Sequence, residues 1–188
     1  MIIALTGTPG TGKTAVAKLL AKSMKAGLID IKKEAALTKH TYDKKRKSKE
    51  IDTVLLQRAI DKKISASKSD IILLEGHLSH FLKSDIIIIL RTDPAVLEKR
   101  LKKRHWNREK IRENIEAEIL DVITIESLAK PSKLMEINTS KMTPKKCADA
   151  IMRLIEKPAN HKKYAPGKVD WTEKYMHILI KKPSKVPF

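Results

Sequence analysis

Three stretches of the chain are apolar at every position: Ile2–Leu5, Ile71–Leu74 and Ile86–Leu90. Unbroken runs of this length fit strands covered on both faces. Leu28–Ile31 and Leu134–Ile137 show the same character more weakly and predict two further strands. Between these runs the period changes. After Gly12, the residues Val16, Leu19, Leu20 and Met24 share one helical face, and the pattern stops before Gly27, which predicts a helix over that interval. Asp93-Pro94 and Thr143-Pro144 each put a capping side chain ahead of a proline at the first helical position, so a helix is expected after each. From Arg108 onward Ile111, Ile115, Ile119 and Ile123 form one stripe that Pro131 ends, predicting a single helix. Strands alternating with helices predict an α/β fold, a parallel sheet with helices on both faces.

Two segments depart from the pattern. Lys32–Lys49 carries eight Lys and Arg against two acids and few apolar residues, so it is not expected in the core. The chain from Pro158 to Phe188 is rich in lysine and proline and reads as a basic extension, within which Met176–Ile180 could dock as a strand or a helical turn. Residues 1–157 are then the expected domain and 158–188 its appendage.

Composition narrows the partners. The 188 residues, about one domain's worth, hold 40 Lys and Arg against 22 Asp and Glu, a formal charge of +18. That excess favours anionic partners: nucleotides, RNA or another anionic surface. With one cysteine, Cys147, an internal disulfide is excluded and a cysteine-built zinc site is not expected. No apolar run nears the roughly 18 residues of a membrane span, and Ile2–Leu5 is too short for a signal peptide. A soluble, cytoplasmic monomer with no membrane role is expected.

Gly7-Thr8-Pro9-Gly10-Thr11-Gly12-Lys13-Thr14 fits G-x-x-x-x-G-K-[ST] throughout. A predicted strand precedes it and a predicted helix follows. Such a loop curls so that successive backbone N–H groups point inward at a phosphate, with the positive end of the helix dipole behind them. Lys13 is then set to bridge the β- and γ-phosphates, and the Thr14 hydroxyl to coordinate Mg²⁺. The sequence has no guanine-reading N-K-x-D tetrad, and its size suits a small-molecule kinase better than a large ATPase. Glu75 closes an apolar run, at the strand end where ligands gather in open α/β sheets, and is a candidate for the metal shell. His77 is a candidate for orienting the acceptor or a water. The cation-dense stretch Leu97–Arg112, broken at His105-Trp106-Asn107, suits a hinged lid, with Arg104 as the candidate to neutralise the transferring phosphoryl.

Together Leu5–Thr14, the strand exit Leu90-Arg91-Thr92-Asp93, and Arg104 ahead of Asn114-Ile115-Glu116-Ala117-Glu118-Ile119 resemble the adenylate kinase isoenzyme six family, over about residues 1–157. The resemblance implies a P-loop nucleoside-monophosphate kinase fold with a five-stranded parallel sheet and a short zinc-free lid. It implies ATP + AMP ⇌ 2 ADP, slow ATPase activity, and a part in small ribosomal subunit maturation through a small-subunit ribosomal protein and rRNA. By position it assigns ATP contacts to Gly10, Gly12, Lys13, Thr14 and Ala15, a lid to residues 103–113 bearing Arg104, and a monophosphate-binding segment to residues 30–50; Thr11, within the loop, is a further ATP-binding candidate. The family's acidic-x-His element usually begins with Asp and here reads Glu75-Gly76-His77. Two functions follow as expectations: a nucleotide kinase, or a nucleotide-switched assembly factor that binds a ribosomal protein and rRNA with kinase activity minor or absent.

Overall fold

The computed structural model describes residues 1–38, 40–43, 48–156 and 162–180, with the backbone alone at 40–43 and 48–50. Five parallel strands form the main sheet: β1 (Ile2–Thr6), β2 (Gly27–Asp30), β5 (Ile72–Glu75), β6 (Ile86–Arg91) and β7 (Lys133–Asn138), in the order β2-β5-β1-β6-β7. β3 (His40–Asp43) and β4 (Ser48–Ile51) make a separate antiparallel hairpin. The helices are α1 (Lys13–Met24), α2 (Ile31–Leu37), α3 (Thr53–Ala66), α4 (Pro94–Lys102), α5 (Arg108–Ile119), α6 (Val122–Leu128), α7 (Pro144–Glu156) and α8 (Thr172–Ile180), and a 3-10 turn spans Ser79–Phe81.

The unbroken apolar strands are explained by cores on both faces. Ile3, Leu5, Leu73, Ile88, Leu90, Met135 and Ile137 pack against Val16, Ala17 and Leu20 of α1 and Ile151 and Leu154 of α7. On the other face, Ile72 and Leu74 meet Ile31 and Ala35 of α2 and Leu56 and Ile60 of α3, while Ala4, Ile87 and Ile89 meet Ile123 of α6. Side chains alternate across a strand, so consecutive residues feed opposite cores. Capping sets the helix starts: Asp93 accepts from Ala95 N (2.9 Å) before Pro94, and Asp52 accepts from Val54 N and Leu55 N (2.9 and 3.0 Å).

Four sequence expectations are corrected. The Leu28–Ile31 strand spans Gly27–Asp30, because Asp30 caps α2 through Lys33 N (3.1 Å) and turns Ile31 into a buried helical residue. Ala35, inside the segment not expected in the core, is 4% exposed. Leu19 is 36% exposed, because α1 turns Val16, Ala17 and Leu20 to the core, with Ala21 and Met24 partly buried beside them. The single helix from Arg108 breaks at Leu120-Asp121, where Asp121 takes φ 57° and starts α6, so Ile123 packs elsewhere than Ile111, Ile115 and Ile119.

The segment expected as a strand or helical turn at Met176–Ile180 belongs to α8. Tyr175 is buried there against Leu97 and Leu101 of α4 and Ile111, Ile115 and Ile119 of α5. Its hydroxyl donates to Asp93 Oδ1 (2.6 Å), and Lys174 Nζ reaches Asp93 Oδ2 (2.8 Å). The boundary expected at 157/158 falls outside the described residues, as do residues 39 and 44–47 of the basic segment.

Candidate active site

β1 delivers the chain into the loop at Gly7, which with Gly10 and Gly12 takes φ of 138°, 100° and 103°. Space excludes a side chain at Gly7 as well, where a Cβ would lie 2.4 Å from the backbone oxygen Leu90 O, while one at Gly10 would press on the end of the Leu97 side chain, 2.7 Å from Cδ1. Thr11 folds the loop back, donating from N (3.2 Å) and Oγ1 (2.9 Å) to Thr8 O. Thr139, just past β7, donates to Thr11 O (3.0 Å) and so ties the loop to the far side of the sheet. Lys13 is buried and its ammonium donates to Gly7 O (2.7 Å) and Thr8 O (3.1 Å), acceptors that phosphate oxygens can replace. Burial lowers its pKa to about 8; Glu75 and Glu118 act against that shift and Arg104 with it.

Strand register puts the acid beside the loop. Leu5 and Asp30 both align with Glu75, so three strand ends open at one level. Glu75 Oε1 accepts from Thr14 Oγ1 (3.1 Å). A hydroxyl and a carboxylate together, with Asp30 lining the same cavity, are the all-oxygen donors that a hard divalent cation takes, so these residues fit Mg²⁺. His77 opens onto the cavity. Desolvation by its surroundings, followed by the charges of Lys13, His80, Lys110 and Lys32, lowers its pKa to about 4, so the ring is neutral at physiological pH.

The opposite wall is cationic. Arg100 donates to Gly10 O (3.3 Å), Thr92 Oγ1 (3.4 Å) and Thr139 O (3.4 Å). Arg104 stands one helical turn on, in the turn between α4 and α5 where His105 takes φ 56° and Asn107 caps α5 through Lys110 N (2.7 Å). Among the described residues, neither arginine has a carboxylate within ion-pair distance, and burial together with the neighbouring Arg104 charge lowers the pKa of Arg100. Two unneutralised guanidinium groups facing one loop make a site for an anion.

Three cavities adjoin here. The central one, about 560 Å³, is lined by Gly10, Gly12, Lys13, Thr14, Ala15, Asp30, Lys32, Glu75, His77, Arg104 and Trp106. It shares Gly10, Gly12 and Arg104 with a second, about 410 Å³, that also takes in Thr11, Arg100, Thr139 and Cys147. It shares Lys32 and His77 with a third, about 190 Å³, walled by Ile31, Ala35, Ala36, Ile51 and Leu78. Every sequence-named candidate (Gly10, Thr11, Gly12, Lys13, Thr14, Ala15, Glu75, His77, Arg104) lines the first or second cavity. Sequence reasoning missed Arg100, Asp30 and Lys32 as individual site residues; only the i, i+4 spacing of Arg100 and Arg104 carried a signal.

A glycine loop between the central parallel strand and its helix, with its lysine turned inward, defines a P-loop nucleotide-binding protein of kinase architecture. A family model described as an AAA domain matches residues 3–121. A Thermococcus kodakarensis protein named "Putative adenylate kinase" is 39% identical over 179 residues, covering 95% of this chain and 97% of its own. One of the same name from Methanocaldococcus jannaschii is 41% identical over 182 residues, with 95% and 97% covered. The chain belongs to the family of these archaeal proteins, and the 95% coverage carries the likeness past residue 158 into the basic extension. Among solved structures, the shikimate kinase of Acinetobacter baumannii matches with a TM-score of 0.56 at 19% identity, covering 82% of this chain and 92% of that one. The deoxyadenosine kinase of M. mycoides matches with a TM-score of 0.55 at 14% identity, covering 83% and 99%. These two share the fold.

Proposed function

We propose that the protein is a nucleoside-monophosphate kinase that transfers the γ-phosphoryl of ATP to AMP, giving two ADP, with slow transfer to water as a side activity. The observation that carries this reading is the row of three adjoining cavities. A polar, cationic centre flanked by two chambers suits two nucleosides whose phosphates meet at Lys13. In this reading the donor base occupies the chamber by Arg100 and Thr139, and the acceptor base the apolar chamber by Ile31, Ala35 and Leu78. The names of the archaeal relatives support the same assignment.

Chemistry of this kind needs alignment and charge neutralisation more than covalent help. The loop amides hold the β-phosphate, and Lys13 exchanges its two carbonyl partners for phosphate oxygens. Arg104, from a lid at residues 103–113, approaches the transferring group and excludes water. His77, neutral near pH 7, orients the acceptor by a hydrogen bond and contributes no charge. Thr14 and Glu75 are the residues that would hold Mg²⁺, which when bound neutralises phosphate charge. Initial rates of ADP formation from ATP with each nucleoside monophosphate, beside a no-acceptor control, test the reading. AMP is expected to give the fastest rate, and a rate no higher than that of Lys13→Ala refutes transfer.

The charge of +18 supports a second role, contact with a polyanion such as rRNA during small-subunit assembly, alongside a ribosomal protein. RNA affinity that does not fall with added salt refutes it.

A further inference from the structure

Beneath the phosphate loop lies a buried ionic group that the proposed chemistry does not use. Arg91, at the end of β6, is 2% exposed and donates from Nε to Glu118 Oε1 (2.9 Å), from Nη1 to Glu136 Oε1 (2.6 Å) and to Asp121, and from Nη2 to Glu118 O (2.8 Å). Glu118, in the last turn of α5 and 1% exposed, does more than neutralise this arginine. Its Oε1 also accepts from Thr92 N (2.9 Å), and its Oε2 accepts from the hydroxyl of Thr8, inside the phosphate loop (2.5 Å). Thr8 in turn offers its carbonyl to Lys13 Nζ at 3.1 Å. A carboxylate held this rigidly, with one oxygen turned to a loop hydroxyl, fixes that loop more firmly than a neutral acceptor would.

We propose that Glu118 is a positioning residue of the triphosphate site: from the end of α5 it grips Thr8, and through Thr8 it sets where the Lys13 ammonium stands. The proposal rests on the kinase reading above. The other end of α5 follows the turn that bears Arg104, so one helix joins the arginine side of the site to the floor of the loop.

The experiment is ATP binding by calorimetry at pH 7.5 on the wild type, Glu118→Gln, Thr8→Val and Thr8→Ser, with KM for each substrate and kcat at the same pH. A lost hydrogen bond to a charged acceptor corresponds to about a tenfold weakening, expected for Glu118→Gln and Thr8→Val as a rise in Kd and KM for ATP, with KM for the acceptor unmoved. Thr8→Ser, which keeps the hydroxyl, is expected to bind like the wild type. Should Glu118→Gln fail to fold, the two Thr8 variants still decide the matter. Thr8→Ser as damaged as Thr8→Val, or a Glu118→Gln that melts lower but keeps the wild-type Kd and KM for ATP, overturns the proposal. A wild type that takes up no purine triphosphate overturns the kinase reading itself, a separate result.

Discussion

Lys13 destabilises the fold that presents it, and the size of that effect follows from its surroundings. Its pKa falls from 10.5 to about 8 on burial. At 1.36 kcal/mol per unit, the protonated side chain costs the native state about 3 kcal/mol relative to a solvated lysine. In Lys13→Met the charge is gone. Thr8 O keeps its bonds from Thr11, while Gly7 O loses its lysine partner, a loss of about 1 kcal/mol. The net expectation is a variant about 2 kcal/mol more stable at pH 7 without nucleotide, or about 4–8 °C in Tm for a chain of this size. The pH dependence has a definite sign. Below about pH 8 the folded and unfolded chains both hold the proton and the difference is constant. Between about 8 and 10.5 the unfolded chain binds more protons than the folded one, so wild-type stability rises with pH and the advantage of the variant closes. Urea denaturation at pH 7, 9 and 10.5 reads this directly. A Lys13→Met protein less stable than the wild type at pH 7, or a difference that does not change with pH, refutes the reasoning. Adding ATP reverses the order, since the wild type gains binding energy that the variant cannot.

Arg91→Met strands Glu118, Glu136 and Asp121 without their cation, and a loss of about 3–5 kcal/mol is expected. Stranded carboxylates have raised pKa values, and Asp121 stands at about 6 already, so the loss measured by denaturation shrinks as pH falls from 7 to 5 and no such relief refutes the assignment. The His77 ring, followed by NMR, is expected to titrate near pH 4; a midpoint near 6.5 refutes the burial of the ring first and the influence of Lys13 and the other cations second. Tyr175→Phe deletes the bond to Asp93 and is expected to cost about 1 kcal/mol, whereas Tyr175→Ala also opens a cavity against α4 and α5 and costs about 3–5 kcal/mol. Equal thermal stability of the two refutes the packing role.

How much of this was legible in the chain depended on how local each determinant is. β1, β5 and β6 could be read because burial on both faces writes a continuous apolar run, and the loop because all its parts are neighbours in sequence. The break at Asp121 could not, since no glycine or proline marks it; a salt bridge to Arg91, 30 residues earlier, accompanies the left-handed conformation there. The β3–β4 hairpin lies in a lysine-rich segment with no apolar alternation to announce it. Of the site, Lys13, Thr14, Glu75, His77 and Arg104 stood out by type and place. Arg100, Asp30 and Glu118 reach it only through the order of strands and helices. The α8 helix was legible only as a docking segment at Met176–Ile180; its start at Thr172 and the burial of Tyr175 make sense only once α4 and α5 present the surface it covers.

That docking makes α8 a seal on a surface formed earlier in synthesis. A chain halted at residue 157 has made α4 and α5 but lacks Tyr175 to cover Leu97, Leu101, Ile111 and Ile115, which then face water as a greasy strip. Copies halted or clipped before α8 would thus advertise themselves to chaperones and proteases, while a copy that carries α8 hides the strip once that helix folds back onto Asp93.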